Sequence, residues 1–174
     1  GGVNGDIDND EWQSQGAFTL CSSLLTIQIP ASVTEIGLAA FKGCTSLETV
    51  TFEKGSQLKK IAGAYYFPWN YNLESYRNNY YGVFANCTAL TTITIPASVE
   101  TIELAAFQGC SSLQSVKFES NSLLSVIGGR TTTVGNGYGK TFYYGAFKGC
   151  PIKTFDATGC NQLSTVEKNA FDYN

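Results

Sequence analysis

The chain contains no histidine and no methionine among its 174 residues. Because histidine is the commonest general base and the commonest metal ligand, its absence removes the usual centre of acid–base and metal chemistry. The net charge is −3, and the 11 Lys and Arg residues form no cluster that could meet nucleic-acid phosphates. We therefore expect no enzymatic activity, no cofactor or metal, and no nucleic-acid partner.

Long apolar runs and dense charge are also missing. No stretch approaches the roughly 20 apolar residues that a membrane-spanning helix needs, so we expect no direct membrane insertion. Charged residues make up only 14% of the chain, which favours an uncharged, hydrogen-bonding surface. The chain begins with Gly1 and Gly2 rather than Met, which indicates a processed form from which any signal peptide has been removed.

The N-terminal stretch before Gly16 is acidic and lies outside the repeat described below. Acids alternate from Asp6 to Asp10 in a way that faintly resembles the start of a calcium-binding loop. Such a loop needs Gly at its sixth position and an acid at its twelfth, where this chain has Glu11 and Ala17. We therefore expect residues 1–15 to be a flexible N-terminal segment that holds no metal.

The rest of the chain is an interrupted repeat, marked by a recurring Phe that follows Ala or Val. The spacing from one such Phe to the next alternates between a short step and a long one. The short step gives a unit of about 23 residues, and the long steps contain insertions of about 20 and about 17 residues. A unit this short cannot bury its own apolar side, so its copies should stack as the rungs of one solenoid. These column phenylalanines are Phe18, Phe41, Phe84, Phe107, Phe147 and Phe171.

Each unit predicts a short strand followed by a second extended piece and a turn. Segments such as Leu47–Phe52 alternate apolar and polar residues and are rich in β-branched types, which is typical of a strand. Extended pieces follow at 33–36 and 99–102, and Leu104–Phe107 suits one helical or 3₁₀ turn. The connections are too long for hairpins, so the strands should form a parallel sheet. They are centred on Ile27, Val50, Ile93, Val116 and Phe155.

The segment Leu90–Cys110 matches throughout the pattern L-x-x-I-x-I-P-x-S-V-x-x-I-x-x-x-A-F-x-x-C. This pattern resembles the BspA-type leucine-rich repeat of bacterial surface proteins. The resemblance extends from about Phe18 to Phe171. It implies an α/β leucine-rich-repeat solenoid of about five units over residues 16–174, with a parallel sheet, short 3₁₀ or helical turns and two inserted hairpin-like loops. Parallel crossover rules predict a right-handed solenoid. The resemblance also implies a non-catalytic adhesion module, extracellular or at the cell surface, that binds host, community or matrix proteins.

Five of the six cysteines lie three positions after a column phenylalanine. This register favours a ladder of buried thiols that act as small, weakly polar hydrophobes. Disulfides between neighbouring rungs are the alternative, because adjacent rungs lie within bridging distance. Zinc binding is disfavoured by the wide spacing, and nucleophilic catalysis by the absence of a histidine base. The five are Cys21, Cys44, Cys87, Cys110 and Cys150.

The two insertions, at about residues 62–81 and 128–144, hold nine of the ten tyrosines. They leave the unit at the same place, so they should project from one side, roughly 10 Å apart. Asn136 and Gly137 predict a tight hairpin turn in the second. Tyr and Trp suit a recognition surface for a protein or, alternatively, a glycan, although the rings could instead pack on the solenoid. The candidate binding residues are Tyr65, Tyr66, Trp69, Tyr71, Tyr76, Tyr138 and Tyr143.

The outward positions of the predicted sheet form a second candidate surface. In repeat solenoids the sheet face is often the binding face, and here it is neutral and rich in hydroxyl groups. The alternative is a solvated surface of good strand formers. Glutamates recur at equivalent positions of the unit, which indicates structural patterning rather than catalysis. The candidate residues of the sheet face are Thr49, Thr51, Thr92, Thr94, Ser115 and Lys117.

Overall fold

The structure is a computed structural model that describes residues 16–64, 80–134 and 140–172. Short strands and turns make up these residues, and no helix lies among them. The strands are β1 (Thr26–Ile29), β2 (Thr49–Phe52), β3 (Lys60–Ile61), β4 (Thr92–Ile95), β5 (Thr101–Ile102), β6 (Ser115–Phe118), β7 (Val126–Ile127), β8 (Gly129–Val134), β9 (Lys140–Gly145), β10 (Thr154–Phe155) and β11 (Thr165–Val166).

The five predicted strands are all present and lie parallel to their neighbours. β1 pairs with β2, while β4 pairs with β6, which also pairs with β10. The register sets Ile27 opposite Val50 and Val116 opposite both Ile93 and Phe155. β2 and β4 contact each other across the point where the first insertion interrupts the repeat. The parallel solenoid predicted from the repeat is therefore confirmed.

A second parallel sheet runs along the solenoid, in the order β3-β5-β7-β11. Its strands come from the second extended piece of the unit, and Thr101–Ile102 lies within the extended piece predicted at 99–102. The equivalent piece at 33–36 carries no strand, because the sheet begins one rung later at β3. Each strand is very short, which is why the sequence pattern alone did not separate this sheet from a loop.

In the described residues, the segments predicted as helical turns form hydrogen-bonded turns and no helix. The Gln108 amide donates to the Ala105 carbonyl, and the Cys110 amide donates to the Phe107 carbonyl. Ala105 has a φ of 63°, in the left-handed region, which no right-handed helix can include. The handedness of the solenoid as a whole stays a prediction.

The second insertion contains an antiparallel strand pair. β8 and β9 pair with Gly129 opposite Gly145 and with Val134 opposite Lys140. The predicted turn at Asn136 and Gly137 lies outside the described residues. Residues 65–79 of the first insertion and the N-terminal segment 1–15 also lie outside them.

The core is a set of columns in which each side chain packs on its counterpart in the next rung. Neighbouring rings in the phenylalanine column have centroids 5.1 to 5.5 Å apart, with planes within 14° of parallel. Phe84, Phe107 and Phe147 are fully buried, and Leu47 and Leu90 are fully buried in the column beside them. This stacking buries the apolar side that one unit could not bury alone.

Glutamate side chains join one rung to the backbone of another. In each case a carboxylate oxygen accepts a hydrogen bond from a backbone N–H that the sheets leave unpaired. The repeated glutamates therefore have a structural role, which agrees with the interpretation from their spacing. The pairs are Glu53 with Ala31 at 3.0 Å, Glu103 with Gly63 at 2.9 Å, Glu119 with Ala97 at 3.0 Å and Glu167 with Gly129 at 2.7 Å.

At every second contact between neighbouring rungs, a glycine of one rung packs against a residue of the next whose backbone is in the left-handed conformation. A Cβ added to Gly82 would lie 1.9 Å from the Ala105 carbonyl oxygen, and one added to Gly145 would lie 1.9 Å from that of Asn169. Both facing residues have positive φ, which turns their carbonyl groups toward the glycine. The residue two places before the column phenylalanine therefore cannot be the same in every unit.

We expect Gly82→Ala to lower the free energy of unfolding by about 2 kcal/mol or more, because backbone atoms rather than a flexible side chain block the new methyl group. Gly37→Ala is the matched control, since a Cβ there meets nothing within 4 Å. It should change stability by less than about 1 kcal/mol. Urea denaturation of both variants checks this, and equal stability would show that the close contact is absent.

Candidate functional site

The strands β1, β2, β4, β6 and β10 form two hydrogen-bonded sheets that meet between β2 and β4, and we call them together the first sheet. Their outward face carries two lanes of polar side chains. Thr92 lies opposite Ser115 in one lane, and Thr94 lies opposite Lys117 in the other. Alternate residues of a strand point to one face, so the lanes stand side by side on the solvent side of every rung. All six predicted sheet-face residues lie on this face. Thr49, Thr51, Thr92, Thr94 and Lys117 are exposed, and Ser115 is half-buried.

The lanes extend beyond the predicted residues at both ends. Thr26 and Gln28 lie opposite Thr49 and Thr51, and Thr154 lies opposite Ser115. The lanes also contain two charged side chains, Lys117 and, at the C-terminal end, Asp156. The Thr158 hydroxyl donates to the Asp156 carboxylate at 2.7 Å, and this bond, with a second one from the Thr158 amide, lowers the pKa of Asp156. We call these lanes the hydroxyl face.

Of the seven predicted insertion residues, only Tyr143 lies where the structure describes the side chain. It is 37% exposed, whereas the adjacent Tyr144 is buried. Tyr80 and Tyr81, which end the first insertion, are buried as well. At the bases of the insertions, therefore, most of the described tyrosines pack on the solenoid. The remaining six candidates lie outside the described side chains: Tyr65, Tyr66, Trp69, Tyr71, Tyr76 and Tyr138.

The bases of both insertions pack on the short unit between them. Tyr80 from the first and Tyr144 from the second belong to one cluster with Ala85, Ala105 and the half-buried Leu104. The Tyr80 hydroxyl donates to Asn86 Oδ1 at 2.8 Å, which anchors the ring. This common contact agrees with the prediction that both insertions leave from one side of the solenoid.

Lys42 is a buried cation that sequence reasoning did not single out. Its side chain is 7% exposed, and its Nζ has no hydrogen-bond acceptor within the described part of the chain. Nζ lies 4.7 Å from the Tyr81 ring centroid and 5.4 Å from that of Tyr80, which places a cation over two aromatic faces. Burial lowers the pKa of Lys42. Nothing in the local sequence distinguishes Lys42 from the exposed lysines, because the tyrosines that cover it lie at the far end of the first insertion.

The cysteines form the predicted thiol ladder, and all six are free. In four rungs the thiol donates to the carbonyl oxygen of the column phenylalanine in the rung before. Burial raises the pKa of Cys87 to about 12, so its thiol stays protonated as a donor. These bonds are Cys44 to Phe18 at 3.0 Å, Cys87 to Phe41 at 3.2 Å, Cys110 to Phe84 at 3.0 Å and Cys150 to Phe107 at 3.1 Å.

Metal and membrane features are absent from the residues described above. No group of three or more His, Cys, Asp or Glu side chains among them is arranged to hold a metal ion. No helix in the same residues is long and apolar enough to cross a membrane.

A family model described as the BspA type leucine rich repeat region matches residues 13–79 and 77–131 with six copies. The chain belongs to the BspA-type leucine-rich repeat family. This confirms the family suggested by the L-x-x-I-x-I-P pattern and accounts for the stacked parallel strands. Among curated protein sequences, none matches the chain.

Solved structures of bacterial proteins are similar to this chain. A leucine-rich repeat protein from Eubacterium ventriosum is 24% identical, with a TM-score of 0.59 over 90% of this chain and 32% of that one. A leucine rich cell surface protein from Faecalibacterium prausnitzii is 24% identical, with a TM-score of 0.48 over 90% of this chain and 39% of that one. The pneumococcal vaccine antigen PcpA is 23% identical, with a TM-score of 0.46 over 83% and 31%. The chain thus spans about a third of the length of these structures.

We expect a thiol reagent at pH 8 to modify the exposed Cys21 quickly in the native protein. The four ladder thiols from Cys44 to Cys150 should react only after unfolding, because they are buried and hydrogen-bonded. Denaturant should release six thiols in total, and Cys21→Ser should remove the fast phase. Fewer than six thiols in the unreduced, denatured protein would mean that rungs are joined by disulfides.

Lys42→Met should raise the free energy of unfolding by about 1 kcal/mol at pH 7, because it keeps the packing and removes a desolvated charge. The pKa of Lys42 is lower in the folded than in the unfolded protein. Between the two values the unfolded chain binds more protons, so the unsubstituted protein gains stability as pH rises toward 10.5. The difference should therefore shrink as the pH rises toward 10.5.

Urea denaturation at several pH values measures this difference, with the exposed Lys54→Met as the matched control. The control should change neither stability nor its pH dependence. A Lys42→Met advantage that grows with pH would contradict a desolvated ammonium at this site.

Proposed function

We propose that this chain is a non-catalytic binding module of a secreted or cell-surface bacterial protein, and that its hydroxyl face recognises a protein of the host or the extracellular matrix. The observation that carries the proposal is the exposed, register-matched pair of polar lanes on β1, β2, β4, β6 and β10. The BspA-type family supports an interaction role and a surface location.

The chemistry of the hydroxyl face suits a protein partner. Each threonine hydroxyl can donate and accept a hydrogen bond, and its methyl group adds apolar contact area. The lanes are neutral over β1, β2 and β4, so a partner does not have to strip water from charged groups there. The sheet ladders and the stacked core hold the backbone of the face in place, so binding orders few groups.

Substitution at the centre of the hydroxyl face tests this proposal. We expect Thr94→Lys to weaken binding of the full chain to immobilised matrix proteins, such as fibronectin or collagen, by about tenfold or more. Thr165→Lys is the matched control, because it places the same charge at an exposed position of the second sheet. Biolayer interferometry measures both variants. Saturable binding that Thr94→Lys leaves unchanged would place the recognition surface elsewhere.

A carbohydrate is the second candidate ligand, recognised by the aromatic insertions. The observation that favours a carbohydrate is the partial exposure of Tyr143. The other described tyrosines at the bases of the insertions, Tyr80, Tyr81 and Tyr144, are buried. Aromatic faces bind sugar rings through apolar contact. A glycan array tests this candidate. Saturable glycan binding that is lost in Trp69→Ala but kept in Thr94→Lys would support the insertions over the hydroxyl face.

A further inference from the structure

The turn Leu104–Phe107 lies between the places where the two insertions leave the solenoid, and we call it the central turn. A Cβ added to Gly63, where the first insertion leaves, would lie 1.9 Å from the Leu104 carbonyl oxygen. One added to Gly128, where the second insertion leaves, would lie 2.6 Å from the Leu104 amide nitrogen. The strand order β3-β5-β7 places these two contacts on opposite sides of the central turn. Its backbone therefore touches the base of each insertion.

Backbone hydrogen bonds join the central turn to the two returning chains as well. The Phe84 amide, just after the first insertion returns, donates to the Ala106 carbonyl at 2.9 Å. On the other side, the Phe107 amide donates to the Ala146 carbonyl, where the second insertion returns, at 2.7 Å. The central turn is thus bonded to one insertion as a donor and to the other as an acceptor.

Side chains of the two insertions share one apolar cluster on this turn. Tyr80 of the first insertion and Tyr144 of the second are both buried, and both belong to the cluster that contains Ala85 and Ala105. Ala105 also packs so closely on Gly82 that a methyl group would not fit between them. Because close-packed groups transmit small displacements to their neighbours, neither base can shift without disturbing the central turn.

We propose that the two insertion bases and the central turn open and close as one cooperative group, so that ordering one insertion also orders the other. Local opening in proteins involves contiguous groups of residues that share contacts. Loss of either tyrosine from the cluster exposes the same two alanines, Ala85 and Ala105, and this weakens the packing of the other tyrosine. A ligand that orders one insertion then reduces the ordering cost of binding at the other. The group contains no residue of the hydroxyl face.

Native-state hydrogen exchange of the full chain, followed by NMR, tests the cooperative group. The Val83 amide reports on the first base, where it donates to the Ala62 carbonyl at 3.0 Å. We expect Tyr144→Ala to lower the protection of the Val83 amide by about tenfold or more, although the substitution lies in the other insertion. The reason is that the alanine removes half of the shared aromatic packing.

Tyr143→Ala is the matched control, because Tyr143 belongs to the same strand and is 37% exposed. It should leave the protection of the Val83 amide unchanged. The Glu53 amide donates to the Ile29 carbonyl at 2.9 Å and reports on the rest of the solenoid, so it should keep its protection in both variants. Unchanged Val83 protection in Tyr144→Ala, or an equal loss at Glu53, would overturn the proposal.

The reverse substitution gives an independent measurement and replaces the first if Tyr144→Ala does not fold. Tyr80→Ala should lower the protection of the Ala146 amide, which donates to the Gly128 carbonyl at 2.9 Å in the second base, by a similar factor of about ten. An Ala146 amide that keeps its full protection in Tyr80→Ala would show that the two bases open independently.

Discussion

The contact between one rung and the next is the interaction on which the rest of the structure depends. Parallel strands are spaced by their backbone hydrogen bonds at about 4.8 Å, and the phenylalanine rings stack at 5.1 to 5.5 Å. These two spacings are nearly the same, so backbone pairing and ring stacking can be satisfied together in every rung. Each column must then hold a side chain that packs well on its own copy.

The same constraint explains how polar groups enter the stack. A thiol is small enough for a buried column and can donate to the carbonyl of the rung before, so Cys recurs where Ser would be harder to desolvate. Glutamates bond to backbone amides at the edges of the turns. Lys42 departs from this pattern. Two tyrosine ring faces cover its ammonium group, and no acceptor among the described residues forms a hydrogen bond with it.

The surfaces available for binding are those that the stack leaves open. Side chains on the solvent side of the first sheet lie outside the buried columns, so they can form the hydroxyl face. The insertions leave the unit beside Leu104, where a Cβ on Gly63 or on Gly128 would collide with its backbone. Packing at the bases of the insertions thus uses Tyr80 and Tyr144, whereas Tyr143 stays partly exposed.

The sequence by itself determined the repeat, the five parallel strands, the thiol ladder and the residues of the hydroxyl face. Each of these depends on a period that a column of identical contacts imposes along the chain. Tertiary structure alone decided the second sheet, the burial of Lys42 and the pairing of Gly82 with a left-handed Ala105. These features depend on which residue of another rung lies opposite, and residues that meet there can be separated in the chain by a whole insertion.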